Sequence, residues 1–312
     1  MSAGVRTVLL TGASGFVGRP TLTALLAQGF HVHAVSRTPP SKTPDGVTWH
    51  VTNLLDPEAR RRLVEATRPT HLLHLAWYVE HGKFWTAPEN EDWIAASLDL
   101  LKLFADRGGR RAVLSGSCAE YDWTRGGNLA FRETDPCHPA TPYGRAKLAL
   151  MDQAGELAAH IGFSFAWARF FFMFGQGEDP RRLIPAMVRG LLTKQAVALS
   201  SGIQIRDFLD TTDIGAGLAA LLVAEDVTGA LNVASGRHVS LRTIGRMLAA
   251  ISGQREGLLH FGALPDREGE PFFLVADVAR LIHEARFKPT YTLEQRLGQC
   301  LAAHRATLGD SQ

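Results

Sequence analysis

Two periodic patterns of apolar residues alternate along the first half of the chain. Short apolar runs predict strands at residues 7–10, 30–35, 47–51, 70–76, 111–115 and 164–169. Amphipathic stretches between them predict helices at residues 16–28, 57–67, 93–105 and 142–160. Strands that alternate with helices of about ten or more residues are typical of βαβ units and a parallel sheet. We therefore expect an α/β fold with a doubly wound parallel sheet that helices cover on both faces.

The pattern becomes less regular after residue 175, where short elements mix with glycine and proline. We expect residues 1–175 to form the main sheet domain and residues 176–312 to form a smaller, mixed α/β portion over its carboxyl edge. A strand predicted near residues 231–234 is placed so that it can rejoin the main sheet. The sequence therefore does not fix a single boundary between the two portions.

The composition narrows the choice of partners. The 312-residue chain carries 33 Lys and Arg residues against 31 Asp and Glu residues, a formal net charge of +2 at pH 7. That balance offers no broad cationic face, so no nucleic-acid partner is expected. No apolar run approaches the ~20 residues that span a bilayer, and the first six residues lack the features of a secretory signal. The three cysteines form no CxxC pair and the histidines lack metal-ligand spacing. We expect a cytoplasmic protein without a membrane anchor, a disulfide framework or a metal site.

A glycine-rich turn follows the first predicted strand and opens the first predicted helix. In it, Gly12 permits a tight turn, Gly15 lets the backbone approach a pyrophosphate, and Gly18 lets the helix lie close to the strand. The helix N-terminus then offers free N–H groups to the phosphates. The turn predicts a dinucleotide-binding domain of the Rossmann type, with cofactor contacts at Gly12, Ser14, Gly15, Phe16, Val17 and Gly18.

The end of the second predicted strand bears on which dinucleotide is bound. A site that prefers NAD places an acidic residue there for the ribose hydroxyls, whereas this chain has Ser36 and Arg37. The Arg37 guanidinium is suited to pair with a 2′-phosphate while Ser36 donates a hydrogen bond. We therefore prefer NADP(H) as the cofactor, with NAD(H) as the alternative.

Three further residues form a candidate catalytic group. Tyr143 and Lys147 lie four residues apart at a predicted helix start, so their side chains share one face. An adjacent ammonium and a nicotinamide cation both favour the phenolate, which lowers the pKa of a tyrosine from its usual value near ~10. Ser117, at the end of a predicted strand, provides a hydroxyl that can hold the substrate oxygen. We therefore predict that Ser117, Tyr143 and Lys147 are catalytic.

Together these motifs resemble the extended short-chain dehydrogenase/reductase family, of the NAD-dependent epimerase/dehydratase type that acts on sugar nucleotides. The segments that carry the resemblance are residues 11–18, 53–56, 74–76, 115–121, 142–147, 169–175, 206–208 and 288–289. It implies that Ser117 polarises a carbonyl, that Tyr143 exchanges the proton, and that Lys147 binds the nicotinamide ribose. It also implies cofactor contacts at Asn53, Leu54, Leu75 and Ala76, and a homodimer paired through the helices at 93–105 and 142–160.

The resemblance also bears on the reaction. The family's dehydratases carry Asp and Glu at the first and second positions after the catalytic serine or threonine, where this chain has Cys118 and Ala119. Glu120 follows, and strand-like alternation is expected to turn it to the other side. Without that acid and base, elimination of water is not expected. A ketoreductase or a C4 epimerase remains, since both need only Ser117, Tyr143, Lys147 and a hydride.

We favour reduction, because an NADPH that dissociates after each turnover suits a net reduction. The predicted reaction is reduction of a keto group on a sugar nucleotide, a 4-keto-6-deoxy nucleoside-diphosphate hexose, with Tyr143 as the proton donor. The first alternative is an NAD-dependent nucleoside-diphosphate-sugar 4-epimerase. A reductase of a ketone that is not nucleotide-linked and a non-catalytic dinucleotide-binding regulator are further alternatives.

Residues for the substrate are predicted from side-chain chemistry and position. Arg206 and Arg267 are candidates for the substrate diphosphate, because guanidinium groups match phosphate oxygens. Trp77 and Tyr78 flank the expected site and can stack on a base or a sugar. Phe172 stands where relatives commonly carry an asparagine that helps bind the phosphates. The pocket is therefore expected to bind its ligand differently or to accept a ketone without a nucleotide.

Overall fold

A seven-stranded parallel sheet forms the centre of the molecule. The computed structural model describes residues 6–40, 42–125 and 127–309. Its strands are β1 (Thr7–Thr11), β2 (His31–Ser36), β3 (Val47–Val51), β4 (His71–His74), β5 (Arg111–Ser117), β6 (Ser164–Phe170), β7 (Phe172–Phe174), β8 (Val197–Leu199), β9 (Ile205–Arg206), β10 (Phe208–Asp210), β11 (Gly229–Val233), β12 (Val239–Ser240), β13 (Leu259–Phe261) and β14 (Phe273–Leu274). The sheet has the order β3-β2-β1-β4-β5-β6-β11, and every neighbouring pair is parallel.

Helices cover both faces of this sheet. They are α1 (Gly18–Ala27), α2 (Pro57–Thr67), α3 (Glu89–Asp106), α4 (Pro142–Ile161), α5 (Leu183–Thr193), α6 (Thr211–Val223), α7 (Leu241–Ser252), α8 (Ala279–His283) and α9 (Leu293–Gly309). Val8 and Leu10 of β1 face a core shared with α1 and α6, whereas Leu9 faces a core shared with α2, α3 and α4. This alternation gives the two apolar faces of a doubly wound sheet, which confirms the α/β fold predicted from the sequence.

The chain returns to the main sheet from beyond residue 175. β11 pairs parallel to β6 at the edge of the sheet, with Leu231 opposite Ala168, so the strand expected near residues 231–234 lies there. α6, which precedes β11, packs against α1 through a close approach of Gly215 to the backbone of Pro20 and Thr21. Residues 211–233 therefore complete the main sheet and one of its helical layers.

A second core lies among the short elements after residue 175. Helices α5, α7 and α9 meet there through Met187, Leu248 and Leu297, which are all fully buried. Three small sheets border this core, formed by β7 with β10, by β12, β9 and β14, and by β8 with β13. Across the described ranges, no helix combines the length and apolar character that crossing a bilayer requires.

Several element boundaries differ from the sequence prediction at the carboxyl edge of the sheet, and two of these differences bear on the site. α3 begins at Glu89, four residues before the predicted start, because three acidic residues occupy its first turn and favour the positive end of the helix dipole. β5 continues through Ser117 instead of ending at Ser115. It is followed directly by a 3₁₀ turn at Cys118–Glu120.

Candidate active site

The glycine-rich turn connects β1 to α1 at the carboxyl edge of the sheet. Gly12 has a φ of 67°, and a Cβ added to it would lie 2.9 Å from the Ala76 nitrogen. A Cβ on Gly18 would lie 2.1 Å from the Gly12 oxygen. Larger residues therefore cannot replace these glycines without displacing backbone. Within the described residues, no side chain caps the N-terminus of α1. The N-terminus of α1 thus carries no side-chain cap and fits the phosphates of a dinucleotide.

A chain of hydrogen bonds holds the ends of β1 and β4 together beside this turn. The Thr11 hydroxyl accepts the N–H groups of Leu75 and Ala76, both at 3.1 Å, and donates to His74 Nδ1 at 2.7 Å. His74 Nε2 donates to Ser97 Oγ at 2.9 Å, because the Ser97 proton is already donated to a carbonyl of α3. Burial, and then the nearby Lys147, lowers the pKa of His74 to about 3. The neutral imidazole therefore fixes the backbone at the predicted cofactor residues Leu75 and Ala76.

The residues predicted to select the cofactor lie at the end of β2 and after β3. The Arg37 side chain is exposed. Ser36 is buried, and its hydroxyl donates to the Thr38 carbonyl and accepts the Trp49 indole N–H at 2.8 Å. The single proton of Ser36 is therefore engaged within the protein. Asn53 accepts the Leu55 N–H, and Leu54 is buried beside it.

Ser117, Tyr143 and Lys147 come together where β5 meets α4. Gly144 makes this close packing possible, because a Cβ there would lie 2.3 Å from the Ala119 oxygen. Burial raises the pKa of Tyr143 above its ordinary value, and a side-chain hydrogen bond with Ser117 acts in the opposite direction. Lys147 Nζ donates to the Ser115 carbonyl at 2.9 Å, and burial lowers the pKa of this lysine to about 7. The three predicted catalytic residues thus lie together, with Tyr143 and Lys147 buried and Ser117 half-buried.

Aromatic rings enclose this cluster. Phe84 and Trp85 contact the Tyr143 ring edge-to-face, with centroids 4.9 and 5.7 Å away, and the Trp85 carbonyl accepts the Tyr143 N–H at 3.1 Å. Trp77 lies against Lys147, with its ring centroid 3.7 Å from Nζ. These rings keep water away from the reacting groups.

Glu120, three residues after Ser117, has a different position from the one predicted. Strand alternation does not apply to Glu120, because the chain turns into the 3₁₀ turn and the Glu120 carboxylate accepts the Ser117 N–H at 2.7 Å. Glu120 is fully buried and also accepts from Trp167 at 3.0 Å and from Arg169 at 2.7 Å. Its carboxylate therefore holds the Ser117 backbone in place while it forms an ion pair with Arg169.

The two positions immediately after Ser117 offer no group for acid–base work. Cys118 is buried, and burial raises the pKa of its thiol to about 12. Ala119 has no polar side chain. Among the described residues, no group of three or more His, Cys, Asp or Glu side chains is arranged to hold a metal ion. The groups of this cluster that can take part in proton transfer are therefore the Ser117 hydroxyl, the Tyr143 phenol and the Lys147 ammonium.

A family model for the NAD dependent epimerase/dehydratase family matches residues 8–234, which include all three catalytic candidates. The chain belongs to this family. The resemblance to extended short-chain dehydrogenases/reductases inferred from the motifs is therefore confirmed.

Curated and structural relatives of this family member cover most of its length. UDP-glucose 4-epimerase 4 of Oryza sativa subsp. japonica is 25% identical over 328 residues, which cover 93% of this chain and 88% of that protein. dTDP-6-deoxy-L-talose 4-dehydrogenase (NAD(+)) of Aggregatibacter actinomycetemcomitans is 23% identical over 76% of this chain and 87% of its own. The structure of MoeE5 in complex with UDP-glucose and NAD superposes with a TM-score of 0.81 and 25% identity, over 97% of this chain and 99% of that one.

The predicted substrate residues of this epimerase/dehydratase family member are divided between the interior and the surface. Arg206 is 1% exposed, pairs with Glu270 at 2.6 Å, and lies 5.2 Å from the ring centre of Phe172. Its guanidinium also donates to two backbone carbonyls. Arg267 is exposed. Tyr78 is half-buried and donates to Glu80. Arg206, one of the two arginines predicted for the diphosphate, is therefore already paired within the protein.

Several residues of the site were not identified from the sequence. Phe84 and Trp85 belong to a loop whose position depends on Asn90, a buried amide that donates to two carbonyls of that loop and accepts the Trp77 indole N–H. Nothing in the local sequence pattern places this loop on Tyr143. One feature of the sequence relates to the Glu120–Arg169 pair, namely the glycine at position 116. A Cβ on Gly116 would lie 2.7 Å from Glu120 Oε1, so the buried carboxylate requires a glycine there.

Proposed function

We propose that this protein is a nucleoside-diphosphate-sugar 4-epimerase that works with NAD. The observation that carries the proposal is the cluster of Ser117, Tyr143 and Lys147. Ser117 is followed by the thiol of Cys118 and the methyl group of Ala119, where elimination would require acids. Curated relatives named UDP-glucose 4-epimerases, which align along most of the chain, support the same reaction. The reduction preferred in the sequence analysis thus gives way to its first alternative.

The residues at the carboxyl edge of the sheet fit a dinucleotide. The close approach at Gly12 and Gly18 leaves the N-terminus of α1 open to phosphate groups. Leu75 and Ala76 would line the cofactor with backbone held by Thr11, and Lys147 would bind the nicotinamide ribose. When bound, NAD supplies an acceptor for a hydride from the sugar and returns that hydride to it.

The side chains of the cluster handle the proton. The Tyr143 phenolate accepts the proton of the C4 hydroxyl and returns it when the opposite configuration forms. The Ser117 hydroxyl donates a hydrogen bond to the same sugar oxygen, and Glu120 holds the Ser117 backbone in place. Burial disfavours the phenolate, so the Lys147 ammonium is needed to lower the pKa of Tyr143.

Cofactor content and C4 inversion test the proposal together. The purified protein is denatured, the released nucleotide is identified, and the native protein is incubated with UDP-glucose while the configuration at C4 is followed by NMR. We expect bound NAD and conversion to the C4 epimer without net consumption of cofactor. Protein that purifies empty and leaves the C4 configuration of UDP- and dTDP-hexoses unchanged would contradict the proposal.

One observation favours a second candidate, an NADPH-dependent 4-ketoreductase. β2 ends in Ser36 and Arg37 without a carboxylate, and the Arg37 guanidinium is exposed where a 2′-phosphate would lie. A relative named dTDP-6-deoxy-L-talose 4-dehydrogenase (NAD(+)) agrees with chemistry at C4 of this kind, but its name gives NAD(+) as the cofactor. The same protein, supplied with NADPH and a 4-keto-6-deoxy sugar nucleotide, would then oxidise one NADPH for each keto group reduced. Bound NAD with C4 inversion would exclude this candidate.

A further inference from the structure

The Trp77 indole is fixed against the Lys147 ammonium. The ring centroid lies 3.7 Å from Nζ, and the two side chains are 9% and 3% exposed. The indole N–H donates to Asn90 Oδ1 at 2.8 Å, and the ring packs against Trp93 with centroids 6.1 Å apart. The indole orientation is therefore set by groups other than Lys147.

Few groups balance the charge of this ammonium. Its hydrogen-bond partner is the Ser115 carbonyl, and among the described residues no carboxylate forms an ion pair with Lys147. The other titratable groups that face it are Glu120 on the 3₁₀ turn, neutral His74 on β4 and Tyr143 on its own helix. Glu120 favours the ammonium but shares its charge with a closer arginine, Arg169. At contact distance the charge thus meets one carbonyl and one aromatic face.

We propose that Trp77 is a positioning residue that holds Lys147 in its charged form and in place beside Tyr143. The face of an indole is the strongest aromatic partner for a cation, and its attraction increases when both groups are shielded from water. The interaction with Ser115 and Trp77 from two sides also limits where Nζ can move. Lys147 depends on this support, since burial has already lowered its pKa to about 7.

This inference assigns Trp77 a role different from stacking on a substrate base or sugar. It rests on the proposed function in one respect, because it takes the ammonium as the form that supports proton transfer at Tyr143. A smaller apolar residue at position 77 would leave the Ser115 carbonyl as the protein group that contacts the buried ammonium. The pKa of Lys147 would then fall, and with it the fraction of charged Lys147 at neutral pH.

Two substitutions, Trp77→Leu and Trp77→Phe, separate the aromatic face from the indole N–H. Both remove the hydrogen bond to Asn90, but phenylalanine keeps a weaker aromatic face. The first readout is the pH profile of C4 inversion by the cofactor-loaded protein. The second is the titration of the Lys147 ammonium, followed by NMR of ¹³C-labelled lysine with Lys147→Met as the blank, which needs no turnover.

For Trp77→Leu we expect the alkaline limb of the activity profile to move to lower pH by about one unit. The sign follows because the ammonium is lost as the pH rises through its pKa, and a lower pKa brings that loss earlier. The titration of Lys147 itself should move to lower pH by a similar amount, since the indole face no longer favours the ammonium. Trp77→Phe should shift both curves by less than half as much.

Phe104→Leu is the matched control, because Phe104 is a fully buried ring of the same core that packs against Phe163. The rings near Lys147 are those of Trp77, Tyr143 and Trp167. Phe104→Leu should lower stability and leave both curves in place. Unshifted curves in Trp77→Leu, or equal shifts in Phe104→Leu, would overturn the proposal. If Trp77→Leu does not fold, the partial shift in Trp77→Phe decides. Absence of C4 inversion in the unmodified protein would refute the proposed function, while the Lys147 titration would still decide the role of Trp77.

Discussion

Replacing Glu120 by glutamine tests the buried ion pair that lies beside Ser117, the proposed catalytic serine. Glu120 and Arg169 have side chains that are 0% and 1% exposed, and their Oε2 and Nε atoms are 2.7 Å apart. Glutamine has nearly the same shape and can still accept the Ser117 N–H through its carbonyl oxygen. Its amide group would then face Arg169, so a donor would meet a donor where a carboxylate oxygen now accepts.

The expected loss of stability follows from the contacts that Arg169 would keep in Glu120→Gln. Its remaining contacts are the Glu133 carbonyl at 3.2 Å, two sulfur atoms and the ring of Tyr121 at 4.6 Å, and none of these carries a compensating charge. Removing one partner of a buried pair costs about 3–5 kcal/mol, because the other charge stays buried without compensation. That is a large part of the roughly 5–15 kcal/mol that stabilises a typical protein.

Urea unfolding followed by circular dichroism measures this cost for Glu120→Gln. A double variant, Glu120→Gln with Arg169→Met, removes both charges and should be less destabilised than the single variant. Lys102→Ala, which breaks an exposed ion pair with Asp106 on α3, should change the free energy of unfolding by at most about 0.5 kcal/mol. The reasoning fails if Glu120→Gln costs less than about 1 kcal/mol, or if the double variant is no more stable than the single one.

Three further results are expected. Tyr143→Phe should lower C4 inversion roughly 10²- to 10⁴-fold while cofactor binding stays intact, and full activity would remove the phenol from the mechanism. Arg37→Ala should weaken NADPH binding roughly tenfold and leave NAD binding unchanged, as measured by fluorescence titration, and equal losses would show that Arg37 does not select the phosphate. Lys147 has its pKa lowered from 10.5 to about 7, so between these values the unfolded chain binds the extra proton and the free energy of unfolding should rise with pH. In Lys147→Met the free energy of unfolding should no longer show this rise with pH. If both proteins show the same pH dependence, the pKa of Lys147 is not lowered.

The fold was predictable because its signals are local. The strand-turn-helix at Gly12–Gly18 needs particular residues at particular positions, and the alternation of strands with amphipathic helices is visible within short windows. The pairing of Tyr143 with Lys147 needs only one turn of helix. The main sheet formed as expected, whereas the start of α3 differed by four residues because apolar spacing does not register an acidic first turn.

The reaction was less predictable than the fold. Ser117, Tyr143 and Lys147 support a reductase and an epimerase equally well, since both reactions need a hydride and one proton exchange. Ser36 and Arg37 favoured NADP(H), yet the relatives aligned with most of the chain include proteins named as epimerases and a structure that contains NAD. The absence of a carboxylate at one strand end was too weak a signal to decide the reaction.

The sequence by itself determined the parallel sheet, the glycine-rich turn and the placement of Tyr143 and Lys147 on one helix face, because each depends on residues close together along the chain. Only the tertiary structure decided which charged side chains are paired with each other. Arg206 is paired with Glu270, 64 residues away, and Glu120 with Arg169, 49 residues away. Trp77 meets Lys147 because β4 and α4 converge at one edge of the sheet. Electrostatic support of this kind depends on distances in space, which no short sequence pattern specifies.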